Sequence, residues 1–211
     1  MIIHPFLTQT SMYTYKIEQA IKAAALLHQD QLRKGVVPLP YISHLMAVML
    51  ILRDYTDDED TLVAALLHDT LEDTDYTPEE LETDFGKTVA SYVTTLTEPK
   101  HDQQGNRIPW LETKRQYAAQ LRKGPEAAVM IAAADKAHNF RALVEEYFTD
   151  HDRFRADFGP HLDTRIEAYQ AVANAINNRL KDGIVHEFNQ TFTEFKNFLY
   201  DVEKSQDPLS S

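Results

Sequence analysis

The 211-residue sequence contains no cysteine, which removes disulfide frameworks, thiolate metal sites and a Cys nucleophile from consideration. Glycine is scarce, at 6 residues, and alternating strand patterns are almost absent, so a β-rich architecture is not expected. No run of about 18 apolar residues occurs, so no segment is expected to span a membrane. The opening MIIHPFLTQTSMYTY lacks the basic start and apolar centre of a secretion signal, and a cytoplasmic protein is the expectation. Positive charge is also short: 21 Lys and Arg stand against 33 Asp and Glu, a net charge of -12. So acidic a surface argues against nucleic acids and anionic membranes as partners, because phosphate arrays are bound by clustered cations. It leaves room for a small local basic pocket.

What is present reads as helix. Apolar residues make up 43% and charged ones 26%, ordinary usage for a globular chain. The spacing predicts helices over Ile17–Leu32, from an N-cap at Ser43 through LMAVMLILR, and over Glu59–Glu72. Thr77-Pro78-Glu79-Glu80 combines a capping box with proline at the first helical position, opening a short helix that ends near Gly86. Further helices are expected over Val89–Leu96, Trp110–Arg122, Pro125–Tyr147, His161–Leu180 and Ile184–Val202. The polar stretch Pro99–Pro109 between them reads as a mobile loop. The expectation is an all-α fold of roughly eight to ten helices. It forms one domain over residues 1–203, with its motifs within 17–148, C-terminal helices over 160–203 and a tail at 204–211.

Three His-Asp pairs occur, and with 9 histidines and 33 acidic residues such pairs arise by chance. His101-Asp102 and His151-Asp152 lie in polar segments and read as solvated side chains. His68-Asp69 closes the apolar run LVAALL, where an imidazole beside a carboxylate is costly unless compensated. Glu72 and Asp73 follow one turn later on the same helical side. Carboxylates this close repel, which a bound cation would relieve; a helix end running into solvent explains them equally well. A second anomaly is Asp135, at the end of AAVMIAAA, with Asn139 one turn on. A core carboxylate needs a partner, and adjacent Lys136 points elsewhere on a regular helix. His44, at the start of an apolar helix, is by itself an ordinary structural histidine. Together, His44, His68, Asp69 and Asp135 offer two imidazole nitrogens and two carboxylates, a set suited to Mn²⁺, Fe²⁺ or Zn²⁺. Such a site polarises a phosphoryl oxygen and acidifies bound water, with Glu72 and Asp73 placed to move a proton or orient the water. Arg33-Lys34, before Gly35, could bind a phosphate or simply complement a helix C-terminus.

These residues resemble the H…HD…D ligand set of the HD metal-dependent phosphohydrolases. More closely, RKGVVPLPYISH (Arg33–His44), AALLHDTLEDT (Ala64–Thr74) and AADKAHNFRAL (Ala133–Leu143) resemble the hydrolase domain of RelA/SpoT-type proteins. The overall size resembles its stand-alone form, the small alarmone hydrolases. The resemblance implies Mn²⁺-dependent hydrolysis of the 3′-pyrophosphate of (p)ppGpp, giving GDP or GTP plus pyrophosphate. It implies His44, His68, Asp69 and Asp135 as metal ligands and Glu72 and Asp73 as the residues handling water. Arg33, Lys34, Asn139, Arg141 and Lys100 would surround a small-molecule nucleotide. The chain departs from the pattern at Leu45, where the family usually has proline, in the Arg33–Pro40 connector, in the 99–109 loop and beyond about residue 150. Alternative readings are an HD phosphohydrolase acting on ppApp-type alarmones, on the 2′-phosphate of NADPH or on other nucleotides, and a non-catalytic nucleotide sensor. His28 is expected to pack in the core or support a ligand, His138 to be exposed, and Trp110 to be core.

Overall fold

A computed structural model of the chain describes residues 13–35, 37–159 and 162–205. The first twelve residues, His161 and the tail from 206 onward lie outside them. Among the described residues the fold is eleven helices and two isolated β-bridges. The helices are α1 (Tyr15–Leu27), α2 (Ile42–Arg53), α3 (Glu59–Leu67), α4 (Thr70–Asp73), α5 (Pro78–Phe85) and α6 (Lys87–Leu96). They continue as α7 (Trp110–Lys123), α8 (Glu126–Tyr147), α9 (His151–Phe158), α10 (Leu162–Arg179) and α11 (Ile184–Lys204).

Two helices form the centre. In α3 every residue from Thr61 to Leu67 is buried, and in α8 the alanines from Ala132 to Ala134 and Ala137 are buried as well. A helix that is apolar all round must be covered on every side. Accordingly α1, α2 and α6 pack on α3, while α2, α3, α6, α10 and α11 pack on α8. Small alanine side chains let these neighbours approach closely. One contiguous core runs from Ile17 to Val202, so the C-terminal helices share it with the motif-bearing ones.

Local chemistry sets the ends of the helices. The Thr14 hydroxyl accepts from the amide of Ile17 at 3.1 Å and the Asp58 carboxylate from Thr61 at 2.8 Å, each satisfying an orphan donor. The Thr77/Glu80 capping box forms, with Pro78 in the first turn. Gly86 takes φ 90° between α5 and α6, a left-handed conformation that a Cβ would strain. Arg179 of α10 donates to the carbonyls of Leu121, Arg122 and Gly124, closing the end of α7 from another helix.

Several boundaries differ from the periodic reading, and each has a local cause. α1 ends at Leu27, and the chain beyond it pairs Gln31–Arg33 with Leu39–Tyr41 as a bridge: Arg33 N donates to Leu39 O at 2.8 Å and Tyr41 N to Gln31 O at 3.0 Å. Ser43 is not an N-cap; its hydroxyl donates to the carbonyl of Pro40, and α2 begins one residue earlier. The expected helix over Glu59–Glu72 is broken at His68 and Asp69, where α3 gives way to the single turn of α4. Within Pro99–Pro109 the chain makes a turn in which Asp102 accepts from the amides of Gln104 and Asn106. The segment around His151-Asp152 is a helix, α9, capped by Asp150 and seated on Tyr147 through Phe154. Trp110 is 42% exposed, its ring edge-on to Tyr169, so it is no core residue.

Candidate metal centre and adjoining cavity

The break in the α3–α4 segment delivers His68 and Asp69 to a point that α2 and α8 also reach. His44 lies in the first turn of α2 and Asp135 in mid α8. Nε2 of His44 is 3.2 Å from Oδ1 of Asp135 and 3.7 Å from Oδ2 of Asp69. Nε2 of His68 is 3.2 Å from Oδ2 of Asp69 and 3.7 Å from Oδ1 of Asp135. Two imidazole nitrogens and two carboxylate oxygens therefore face one another, and His44, His68 and Asp135 are all buried.

The arrangement fits a divalent cation. Nδ1 of His68 bonds the carbonyl of Ala65 at 2.8 Å, which can only accept, so that nitrogen carries the proton. Nε2 is left with its lone pair turned to the carboxylates, buried and without a hydrogen bond. An orphaned ring nitrogen of this kind, oriented by a bond at its other end, is what a metal ligand requires. The charges agree. Burial would lower the pKa of His68, but Asp69 and Asp135 outweigh it and raise it well above the ordinary imidazole value. Burial would raise Asp69 and Asp135, yet His68 for the first and Lys136 for the second hold both well below the usual carboxylate range. Burial keeps His44 low against the pull of Asp135. A pocket that draws a proton onto a buried ring favours positive charge, and a dication supplies it with both imidazoles neutral.

Further contacts fix the carboxylates. Tyr41 donates to Oδ2 of Asp69 at 2.7 Å, and Asn139 donates to Oδ1 of Asp135, its own carbonyl accepting from Arg33 at 2.7 Å. Lys136, expected to point away, turns its flexible stem back and pairs with Oδ2 of Asp135 at 2.8 Å. Its ammonium also lies 5.6 Å from the centroid of the Tyr117 ring. His138, expected to be exposed, is half-buried with Nδ1 2.9 Å from Nδ1 of His44. His28 is buried, stacked on Tyr41 at 5.0 Å and bonded to Gln31.

A cavity of about 510 Å³ adjoins this cluster. Its lining includes the polar Arg33, Lys34, Lys136, Asn139 and Asp73, together with Tyr41 and the apolar Phe140, Leu143, Phe158 and Tyr169. Glu72 and Asp73 are held from the other side by Lys100, 2.9 Å from Glu72 and 3.2 Å from Asp73. Oε2 of Glu72 accepts the amide of Glu98, whose own carboxylate pairs with buried Lys114. Burial, reinforced by Glu98, raises the pKa of Glu72 above the ordinary value. Arg141 is the exception among the expected residues. Like Glu72 and Lys100 it does not line the cavity, and unlike them it bonds no residue of the cluster or its neighbours there: its guanidinium is exposed and pairs with Glu187 of α11 at 2.7 Å. Tyr41, Lys136 and His138 sit inside the quoted motifs and were legible as family text but not as roles. Phe158 and Tyr169 lie beyond the motifs, where aromatic side chains on α9 and α10 gave no sign of facing a cavity.

The HD domain family matches residues 19–156. The chain belongs to that family. It is 38% identical to the mouse protein named guanosine-3′,5′-bis(diphosphate) 3′-pyrophosphohydrolase MESH1, over 62% of this chain and 77% of that one. It is 39% identical to a GTP pyrophosphokinase of Streptomyces coelicolor over 61% of this chain, a match spanning 15% of that longer protein. Among solved structures, one described as a metazoan ortholog of SpoT that hydrolyzes ppGpp superposes with a TM-score of 0.70 at 27% identity. That superposition covers 86% of this chain and 96% of that one, so the likeness extends into helices that the sequence motifs leave out. Within the HD family, the chain is thus a relative of the RelA/SpoT-type hydrolase domains. Among the described residues no helix is long and apolar enough to cross a membrane.

Proposed function

We propose that this protein hydrolyses the 3′-pyrophosphate of guanosine alarmones, converting (p)ppGpp to GDP or GTP and pyrophosphate, with Mn²⁺ held by His44, His68, Asp69 and Asp135. The observation carrying this reading is the juxtaposition of the histidine-carboxylate cluster with a cavity lined by both cationic and aromatic side chains. A relative named as a 3′-pyrophosphohydrolase, at 38% identity, supports it. The metal would withdraw charge from a phosphoryl oxygen and acidify water. Arg33 and Lys34 bind the pyrophosphate, Arg33 in a fixed pose because Asn139 holds it. Glu72, whose raised pKa suits a general base, takes the proton of the attacking water, and Asp73 orients that water. A new oxygen–phosphorus bond forms, the bond from phosphorus to the 3′-oxygen breaks, and that oxygen takes up a proton. Lys100, released from Glu72 and Asp73, meets the incoming negative charge. The base stacks among Phe158, Tyr169 and Phe140. On this reading residues 1–203 work as one unit in the cytoplasm on a small-molecule nucleotide, with no nucleic-acid or membrane partner.

The test is a panel of ppGpp, pppGpp, ppApp, GTP and NADPH incubated with purified protein and Mn²⁺, the products resolved by anion exchange. Pyrophosphate from guanosine 3′-pyrophosphates alone is the expected result. Equal turnover of ppApp would remove the guanine preference, and orthophosphate from NADPH or GTP would overturn the reaction.

A further inference from the structure

The two histidines of the cluster are supported in different ways. His68 bonds a backbone carbonyl through Nδ1, and a carbonyl can only accept, so this ring has one usable tautomer. His44 instead faces another imidazole, Nδ1 to Nδ1 at 2.9 Å with the rings tilted at 49°. Two neutral imidazoles at that distance share one proton: one ring donates and the other accepts. His44 is 1% exposed, so its Nδ1 has no water to fall back on. Among the described residues no carboxylate forms an ion pair with His138.

We propose that His138 is a positioning residue whose Nδ1 accepts the Nδ1–H of His44, holding His44 in the tautomer that turns an Nε2 lone pair toward Asp69 and Asp135. This rests on the metal reading given above and adds to it the group that prepares the second histidine. A partner that both donates and accepts has a consequence that the carbonyl behind His68 lacks. Without a cation, Nε2 of His44 can carry its proton toward Asp135, 3.2 Å away, while His138 donates to Nδ1. When a cation takes Nε2, that proton leaves to solvent, the shared proton passes from His138 to His44, and Nε2 of His138 is reprotonated. Both rings stay neutral and the proton count of the pair is unchanged. His138 thus keeps the buried Nδ1 of His44 satisfied in either state, where an unpaired buried polar atom would be costly.

The experiment measures Mn²⁺ affinity by titrating free Mn²⁺ in the EPR spectrum, for wild type, His138→Leu and His138→Asn. An asparagine amide reproduces both donor and acceptor at the Nδ1 position, and leucine reproduces neither. Loss of an outer partner of a ligating histidine costs about 10- to 100-fold in metal affinity, and that loss is expected for His138→Leu, with His138→Asn recovering most of it. A folded His138→Leu protein that binds Mn²⁺ as wild type does overturns the proposal, as does a folded His138→Asn protein no better than the leucine variant. Should His138→Leu fail to fold, ¹⁵N NMR of the wild-type Zn²⁺ complex decides. A proton on Nδ1 of His44 and none on Nδ1 of His138 is expected, and the reverse overturns it. Wild-type protein that binds no Mn²⁺, or binds it equally after Asp69→Ala, would instead sink the metal reading itself.

Discussion

Tyr41 donates its hydroxyl to Oδ2 of Asp69 at 2.7 Å, the same carboxylate oxygen that faces Nε2 of His68 at 3.2 Å. Burial pushes the Tyr41 phenol far above its ordinary pKa, so it remains a donor at any working pH. The ring is held between His28, stacked at 5.0 Å, and the edge of His44 at 5.7 Å. Tyr41→Phe keeps that packing and deletes one hydrogen bond to a charged acceptor, an interaction of about 1.5–3 kcal/mol. The variant is expected to lose that much stability in urea titration and to bind Mn²⁺ about tenfold more weakly. Unchanged Mn²⁺ binding would mean that Asp69 is fixed by its backbone turn alone.

A cation that binds only the folded cluster stabilises the fold by mass action. At a hundredfold excess over the dissociation constant the gain is about 2.7 kcal/mol, seen as a higher melting temperature with Mn²⁺ than with EDTA. Asp69→Ala and Asp135→Ala are expected to abolish both the shift and the activity. A full Mn²⁺ shift in Asp69→Ala would place the ion elsewhere.

Glu72 gives a pH prediction with a definite sign. Burial and Glu98 raise its pKa, and Lys100 opposes them. The general base must be ionised in the free enzyme, so the acid limb of kcat/KM lies above the ordinary glutamate value. Lys100→Met removes a cation that favours the carboxylate and moves that limb to higher pH. Stability runs the other way: a folded-state carboxyl with raised pKa binds more protons than the unfolded chain, so the protein loses stability as pH rises through that window. Glu72→Gln is expected to lack this loss while kcat falls about 10²- to 10⁴-fold. Urea midpoints and kcat/KM profiles on both sides of the window read the two effects separately.

How far the sequence carried is best seen at His68, Asp135 and Arg141. The first two were legible because a polar side chain closing an apolar run is expensive, and the expense points to compensation. The all-helical class was legible for the same reason that the apolar spacing was periodic. The break of α3 at His68–Asp69 was not, since periodicity continues through it and only tertiary packing decides that α4 turns away. Arg141 sat in the motif block, yet its side of α8 faces α11 and Glu187. Lys136 shows the converse, because a lysine stem long enough to fold back defeats a rule based on helical angles. α9 lay hidden in a charged segment, its seat on Tyr147 being supplied by aromatic residues of α8 and α11.

Arg33 and Arg141 make a matched pair of substitutions. Arg33 lines the cavity and bonds Asn139, so Arg33→Ala is expected to raise KM at least about tenfold, the loss of one charge-assisted contact. Arg141→Ala removes an exposed ion pair with Glu187, which contributes about 0–1 kcal/mol, and is expected to leave KM within twofold, roughly the scatter of a surface change. Steady-state kinetics on the alarmone substrate check both. A large KM effect from Arg141 would require the nucleotide to extend toward α11.

Phe158 is the residue on which the base assignment turns. It is carried by α9, which Gly159 ends at φ 79°, and its ring stacks on Phe154 at 5.0 Å and lies edge-on to Tyr147. Those contacts, with the Arg165 guanidinium 5.3 Å from its centroid, seat the ring at the cavity, which Tyr169 also lines. An aromatic ring that stacks on a nucleobase contributes about 1–3 kcal/mol, so Phe158→Ala is expected to raise KM by roughly 5- to 150-fold, with kcat changed far less because the base takes no part in the bond changes. Phe158→Tyr or Phe158→Trp should restore binding, since both offer the same face. Pyrophosphate release from inorganic triphosphate, which has no base, should be indifferent to all three changes if that compound is turned over. A fall in kcat at unchanged KM would instead mean that α9 braces the catalytic groups and that the base lies elsewhere in the cavity.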